Sequence, residues 1–178
     1  MQTVKFGTVI PQLAECSRKA AAEGAVLLKN EDHILPFINR ECVSVFGRIQ
    51  LDFYRSGTGS GGAVNAPYTK NLVDGFRENP DLCINEELVS VYENWRQTHP
   101  ADDGGGVWAG EPWNQKDMDL TEEIVRTARG KSEKAVYVIG RTAGEDKDNT
   151  PEEGGYCLTA QEKQNLELNT TFFENTVV

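Results

Sequence analysis

The sequence predicts an α/β domain whose mostly parallel sheet is flanked by helices. Two apolar runs rich in β-branched residues, Cys42–Gly47 and Lys134–Gly140, are typical of strands buried on both faces. Segments with helical spacing of apolar residues come between and after them, so strand, loop and helix alternate. At 178 residues the chain is long enough for one domain and too short for two of ordinary size. We expect a single domain over residues 1–178, in which residues 1–11 form a lead-in.

The first helix is predicted to begin at Pro11, in a segment rich in Ala, Leu, Glu and Lys. Gly24 weakens its last part. The residues expected to face a core are Leu13, Ala20, Val26 and Leu27.

Two helices are predicted after the glycine-rich loop that spans Arg55–Tyr68. The apolar residues at helical spacing are Leu72, Val73 and Phe76 in one helix and Leu88, Val91, Tyr92 and Trp95 in the other. Asn85 is the predicted N-cap of the second helix, because Glu86 and Glu87 follow it in the first turn, where the helix dipole favours acidic side chains.

Two further helices and a last strand complete the pattern. Thr121 to Arg129 is predicted to form the body of one helix, with Gly130 as its C-cap. Thr159 is the predicted N-cap of the other, because Glu162 stands three residues on, as in a capping box. The final residues, "ENTVV", are typical of the start of a strand.

Residues 99–118 are predicted to form a long irregular loop that contains Trp108 and Trp113. Loops of this length inside compact domains are usually functional or mobile. The two indole rings suit the C–H face of a pyranose, and they suit the edge of a hydrophobic core equally well. The sequence leaves both interpretations open.

The charge of the chain argues against several classes of partner. Asp and Glu number 28 against 18 Lys and Arg, which gives a formal charge of −10. Such a surface repels phosphate backbones and anionic lipid, so we expect neither nucleic acid nor membrane as a partner. No secretory leader is recognisable and no segment approaches the roughly 20 apolar residues of a membrane span, so a cytoplasmic location is expected.

The cysteines are widely scattered, at positions 16, 42, 83 and 157, without a CxxC pair. His33 and His99 are the only histidines that could join them in a metal site. We therefore predict reduced structural thiols and no metal.

The run Gly57–Gly62 satisfies the GxGxxG pattern of dinucleotide-binding domains. In those domains the pattern occupies the tight turn between a strand and its helix. Here it begins ten residues past Gly47, and the residues up to Pro67 delay the helix further. Nucleotide binding is thus a minor alternative to a flexible turn, or to a loop whose backbone approaches another ligand or domain.

The loop that follows the second strand is acidic, with Glu145, Asp146, Asp148, Glu152 and Glu153 close together. Such a cluster is often only solvated surface. If one member is catalytic, Glu145 is the best candidate, because Gly144 permits an unusual backbone and the strand end is five residues away. A carboxylic acid that donates a proton needs a raised pKa, which burial or the charge of neighbouring Asp146 and Asp148 would provide. Both unusual loops leave the carboxyl ends of strands, so they should lie together at one sheet edge.

Three blocks of sequence resemble the α/β sandwich domain of glycoside hydrolase family 3, the β-glucosidase group. They are "AAAEGAVLLKNEDHILPF" (20–37), "VFGRIQ" with "GTGSGGAVNAPY" (45–68) and "AVYVIGRTAGEDKDNTPEEGGYCLTAQEKQNLE" (135–167). They occur in the family's order. The resemblance implies an (α/β)6-sandwich-like fold that is incomplete in this chain.

The resemblance also implies a function. Family 3 enzymes pair this domain with a (β/α)8 barrel that carries the nucleophilic aspartate, and the sandwich lends the acid/base glutamate, here Glu145. The serine of the family's "GSG" loop contacts the sugar, which implies Ser60 with Gly59 and Gly61 beside it. The expected reaction is a retaining hydrolysis of a terminal β-D-glucosyl or xylosyl residue of a glucoside or oligosaccharide, without metal or organic cofactor.

No barrel is present, so the resemblance implies a domain of a larger enzyme that is inactive alone. The position of the first methionine suggests the inverted order, sandwich first and barrel after. An incomplete sheet has an unpaired edge, and we expect self-association near Thr176–Val178. The alternatives are a non-catalytic sugar-binding or scaffold module of the same fold and, less favoured, a nucleotide-binding domain.

Overall fold

The computed structural model describes residues 10–38, 40–63, 68–145 and 148–178. Contacts divide these residues into two units. One comprises the described residues up to Pro36 together with Tyr68, and the other comprises the rest. The second unit contains the sheet, the acidic loop and the described residues 55–63 of the glycine-rich loop.

The first unit contains helix α1, Pro11–Glu23, which is exposed over its whole length. The prediction that Leu13, Ala20, Val26 and Leu27 face a core is therefore wrong. Two causes are visible. The helix ends at Glu23, so two of these residues lie beyond it, and the apolar residues within the helix are mostly alanines, which offer little surface to bury.

The second unit is built on a sheet of four parallel strands in the order β2-β1-β3-β4. The strands are β1 Cys42–Phe46, β2 Cys83–Ile84, β3 Lys134–Tyr137 and β4 Asn175–Val177. The parallel sheet and its helices confirm the predicted fold class. β1 and β3 end earlier than predicted because β1 turns into a short 3-10 helix at Arg48–Gln50, after a last bond from Val138 N to Phe46 O of 2.9 Å.

The helices of this unit begin at polar caps. They are α2 Leu72–Glu78, α3 Glu86–Thr98, α4 Glu122–Arg129 and α5 Ala160–Phe172. Asn85 caps α3 and Thr159 forms the predicted capping box with Glu162. Thr121 is the N-cap of α4 rather than part of its body, because its hydroxyl accepts a hydrogen bond from Ile124 N.

The core lies on both faces of β1, whose Val43, Val45 and Phe46 are fully buried. Most apolar residues predicted to face the core from α2 and α3 do so. Val91 does not, being 37% exposed on the outer side of α3. The sequence also gave no signal for β2, since two residues are too few to show a period.

Within these described ranges, none of the helices has the length and apolarity that a membrane crossing requires. The same residues contain no group of three or more His, Cys, Asp or Glu side chains suited to hold a metal ion.

Candidate active site at the carboxyl edge of the sheet

The glycine-rich loop and the acidic loop meet beyond the carboxyl ends of β1 and β3, as predicted. Thr58 and Gly144 pair as an isolated parallel bridge. Thr58 N donates a hydrogen bond to Ala143 O at 3.1 Å. The two loops are therefore joined through their backbones, immediately before the residue that was singled out as catalytic.

Glycines allow this close approach. A Cβ placed on Gly144 would lie 2.7 Å from Thr58 N, and one on Gly59 would lie 2.8 Å from the Cβ of Glu145. Gly59 also has a φ of +81°, a conformation that L side chains rarely adopt. The loops can thus pack in this way only with glycine at these positions.

Glu145 is held by the loop opposite it. Ser60 N donates a hydrogen bond of 2.8 Å to Glu145 Oε2, and both residues are exposed. The structure therefore brings together three of the four predicted site residues, Ser60, Gly59 and Glu145. Among the described residues beyond its chain neighbours, none has an atom within 4 Å of a Cβ added at Gly61.

Hydrogen bonds from the Ser60 hydroxyl and from its backbone N–H lower the pKa of Glu145 below its ordinary value. The prediction from the sequence was a raised pKa, which a proton donor needs. The reason for the difference is that Glu145 is exposed here, so desolvation does not counter the two hydrogen bonds. Of the acidic neighbours proposed to raise its pKa, Asp146 lies outside the described residues and Asp148 is exposed.

Arg141 anchors the acidic loop, and sequence analysis gave it no role. Its guanidinium forms a bidentate pair with Glu162 of α5, with both N–O distances at 2.7 Å. It also donates to Gly155 O at 2.7 Å and to Cys157 O at 3.3 Å. One side chain thus holds the start of the loop, its end and the following helix together. The sequence signal that could have indicated this role is a single arginine that follows a predicted strand and precedes five carboxylates.

A second, buried network connects residues near the carboxyl ends of β1 and β3. Asp117 accepts hydrogen bonds from Arg48 N at 2.8 Å, Met118 N at 2.8 Å and the Tyr137 hydroxyl at 2.9 Å. Burial raises the pKa of Asp117 above its ordinary value, although these hydrogen bonds oppose the effect. The network joins the end of β3 to the residues that follow β1.

The long loop after α3 reaches the site with polar side chains rather than with its tryptophans. An open cavity of about 320 Å³ lies beside the glycine-rich loop, lined there by Thr58 and Gly62. Asp102, Glu111 and Gln115 of the long loop also line it. The loop is tied to the acidic loop by a 2.8 Å hydrogen bond from Thr142 N to Trp113 O. Trp108 is 59% exposed.

The GxGxxG pattern does not have the geometry of a dinucleotide site. Residues Gly59–Ala63 form a short 3-10 helix, and the next α-helix begins at Leu72. The glycines therefore do not lie at the N-terminus of an α-helix that follows a strand directly, which is the feature that binds a pyrophosphate.

Comparison with known proteins gives the family. Residues 25–178 match the model of the glycosyl hydrolase family 3 C-terminal domain. A β-glucosidase of Ruminococcus albus is 45% identical over 149 residues, which cover 84% of this chain and 15% of that protein.

Solved structures agree with this match. A β-glucosidase from Paenibacillus barengoltzii has a TM-score of 0.93 and 57% identity over 97% of this chain and 18% of its own. β-Glucosidase 3B from Thermotoga neapolitana in complex with α-D-glucose has a TM-score of 0.78 and 26% identity, over 92% of this chain and 22% of its own. The chain spans less than a quarter of the length of these relatives. It belongs to glycosyl hydrolase family 3 and corresponds to the family's C-terminal domain.

Proposed function

We propose that this chain is the acid/base-bearing domain of a retaining β-glycosidase that hydrolyses terminal β-D-glucosyl or xylosyl residues. The observation that carries the proposal is the position of Glu145. Its carboxylate is exposed at the carboxyl edge of the sheet, and Ser60 N fixes it at 2.8 Å. Ligands of parallel α/β sheets bind at this edge. The relatives are named β-glucosidases, which supports the same class of reaction.

In this reaction Glu145 acts twice. As an acid it protonates the oxygen of the leaving group while a carboxylate nucleophile attacks the anomeric carbon. As a base it then removes a proton from the water that releases the sugar from the enzyme. The nucleophile belongs to a barrel domain outside this chain, and the two carboxyl groups stand about 5–5.5 Å apart in retaining enzymes. The isolated chain is therefore inactive.

The lowered pKa of Glu145 suits the second step, because an ionised carboxylate accepts the proton of water. The first step needs the protonated form. Docking of the barrel would remove water from Glu145 and bring a second carboxylate near it, and both changes raise the pKa of a carboxyl group. The acid role of Glu145 thus depends on the barrel that docks against it.

Ser60 and Gly59 form the sugar-facing side of the same site in this proposal. Ser60 is exposed, and its backbone N–H is already directed at Glu145, so its hydroxyl remains close to the carboxylate. A sugar hydroxyl bound by Ser60 would therefore lie next to the acid/base. The cavity beside Thr58 presents further hydrogen-bonding side chains, among them Asp102 and Gln115, to a glucoside or oligosaccharide.

The experiment compares two aryl β-glucosides, one with a good and one with a poor leaving group, in the enzyme that joins this domain to its barrel. Glu145→Ala should slow cleavage of the poor leaving group by 100-fold or more, on the order expected for loss of a general acid, and cleavage of the good one far less. Azide should restore turnover of the good substrate by replacing water as the nucleophile. Glu152→Ala is the matched control, since Glu152 is an exposed carboxylate of the same loop.

The opposite result is equally informative. If the Glu145→Ala variant hydrolyses both substrates as fast as the wild type, Glu145 is only a solvated surface residue. The proton donor then lies at Glu152 or Glu153 or in another domain, or the chain is a non-catalytic module of the fold. Activity of the isolated chain on either substrate would contradict the assignment of the nucleophile to a barrel.

A further inference from the structure

Cys42 and Cys83 lie side by side at the start of two neighbouring strands. They are the first residues of β1 and β2, and their Cα atoms are register partners in the parallel ladder. The Cys83 thiol donates a hydrogen bond to Cys42 Sγ at 2.9 Å. The residues are 41 positions apart in the chain, so only the fold brings them together.

The pair is separate from the proposed active site. Glu145 and Ser60 lie beyond the carboxyl ends of the strands, whereas the two cysteines occupy the amino ends. Both thiols are free and half-buried, so a small reagent can reach them. The other two cysteines, Cys16 and Cys157, are exposed.

The backbone already satisfies the main requirement for a disulfide. Neighbouring strands lie about 4.7–4.9 Å apart, and the Cα atoms of disulfide-bonded cysteines are usually about 4.4–6.8 Å apart. The two sulfurs therefore need to approach each other by less than an ångström, roughly, to reach the bonding distance of about 2.05 Å.

We propose that Cys42 and Cys83 form a reversible dithiol–disulfide site whose oxidant is a small-molecule disulfide of the glutathione class. One cysteine, as its thiolate, attacks a sulfur of the oxidant and displaces one small thiolate. The second cysteine loses its proton and attacks the protein sulfur of the mixed disulfide, which releases the second small thiolate. Two protein thiols are oxidised, one external disulfide is reduced to two thiols, and the two protons go to solvent or to the leaving thiolates.

Local chemistry keeps the pair reduced until such an oxidant is present. Desolvation by burial is the largest cause of the raised pKa of Cys42, which lies at about 11. Cys42 is then protonated at neutral pH, and a protonated thiol is a poor nucleophile. Exchange should therefore be slow, and it should end in the internal bond because the second sulfur is already in place.

The test uses a variant of the chain with Cys16→Ser and Cys157→Ser, so that only the pair remains. This variant is incubated with oxidised glutathione, its free thiols are blocked with iodoacetamide, and intact mass and peptide maps are recorded. We expect loss of both free thiols without bound glutathione, and a linked peptide pair containing Cys42 and Cys83. Reductant should restore both thiols.

The matched control carries Cys42→Ser and Cys83→Ser and keeps the two exposed cysteines. It should take up one glutathione per cysteine as stable mixed disulfides. The same incubation of the pair variant in urea should also accumulate mixed disulfides, because the strand register is then lost. Thermal unfolding of both variants in reductant verifies that each is folded.

Two results would overturn the proposal. One is that the folded pair variant keeps both thiols available to iodoacetamide or retains glutathione on one of them. The other is that the unfolded chain forms the internal bond as readily as the folded chain, which would show that the strand register contributes nothing.

Discussion

The guanidinium of Arg141 and the carboxylate of Glu162 meet in a two-pronged ion pair, with both N–O distances at 2.7 Å. Arg141 stands four residues before Glu145, and Glu162 is the capping-box residue of α5. The helix that follows the acidic loop therefore fixes the direction in which that loop leaves the sheet. A cap that stabilises a helix end also positions the candidate acid/base.

Glu162→Gln should lower the free energy of unfolding by about 2 kcal/mol, because it leaves a partly buried guanidinium without its counter-charge. Denaturation of the chain by urea measures the change. Glu153→Gln is the control, since Glu153 pairs with Lys163 of the same helix at 3.6 Å with both side chains exposed. The control should change stability by less than about 0.5 kcal/mol.

The stability of the Arg141–Glu162 pair should depend on pH. Desolvation by burial raises the pKa of Glu162, but hydrogen bonds from Arg141 and Thr159 outweigh it, and the pKa lies below the ordinary 4.5. The pair therefore contributes fully above pH 4.5, and its contribution is lost as the pH falls through the lowered pKa. Urea titrations of the wild type and Glu162→Gln should converge on acidification. A constant difference down to acid unfolding would contradict this.

The contribution of Asp117 to stability should depend on pH in the opposite direction. Burial raises its pKa above the ordinary 3.8, so the folded state holds the proton more tightly than the unfolded state does. Stability should therefore fall as the pH rises from 3.8 through the raised pKa. Asp117→Asn keeps the shape of the group and should abolish this fall. Unfolding midpoints at a series of pH values measure it, and an unchanged slope in the variant would contradict the assignment.

Gly144→Ala should disrupt the contact between the two loops, because the new Cβ would lie 2.7 Å from Thr58 N. A backbone shift of this kind costs about 1–3 kcal/mol. Amide hydrogen exchange at Thr58 and urea denaturation report the local and the global effect. Gly75→Ala is the control, since Gly75 lies exposed in α2 with free space around it, and it should stabilise the chain by about 0.5–1 kcal/mol.

Ser60→Ala should raise the pKa of Glu145 toward its ordinary value, since the Ser60 hydroxyl is the largest cause of the lowering. The backbone N–H remains, so part of the lowering should persist. Carbon-13 NMR titration of the Glu145 side chain in the isolated chain measures the shift, with Glu145→Gln to assign the signal. A pKa that is unaffected by Ser60→Ala would show that the hydroxyl does not reach the carboxylate.

β4 should mediate weak self-association, because it is an edge strand that pairs with β3 alone among the described elements. Sedimentation velocity over a range of concentrations should show a monomer–dimer equilibrium. Thr176→Lys places a charge on this edge and should shift the equilibrium toward monomer. A single monomeric species at high concentration would refute the prediction.

Much of the fold was predictable from local signals. The buried strands show as uninterrupted β-branched runs, and Asn85, Thr159 and Gly130 mark helix ends through their own backbone chemistry. Strand β2 and the exposure of α1 were not predictable in this way. A two-residue strand has no period, and whether a helix buries its weak apolar face depends on what covers it rather than on its sequence.

The candidate site was also predictable only where local sequence signals or the family resemblance point to a residue. Glu145 could be proposed from its position after a strand end and from the family resemblance, and Ser60 from the resemblance alone. The lowered pKa of Glu145 could not be predicted, since it comes from hydrogen bonds donated by a residue 85 positions away. The roles of Arg141 and Asp117 depend on long-range partners as well, and a single sequence gives no distances.

The backbone contact between Thr58 and Gly144 is a requirement of the fold that is independent of the chemistry at position 145. The contact needs glycine at position 144 whether or not the next residue carries a carboxyl group. A related domain that had lost catalysis would therefore keep Gly144 and Gly59 while position 145 changed to other residues. In a genome survey, the glycines would identify the domain, and under the proposed function the carboxylate at position 145 would distinguish hydrolases from inactive descendants.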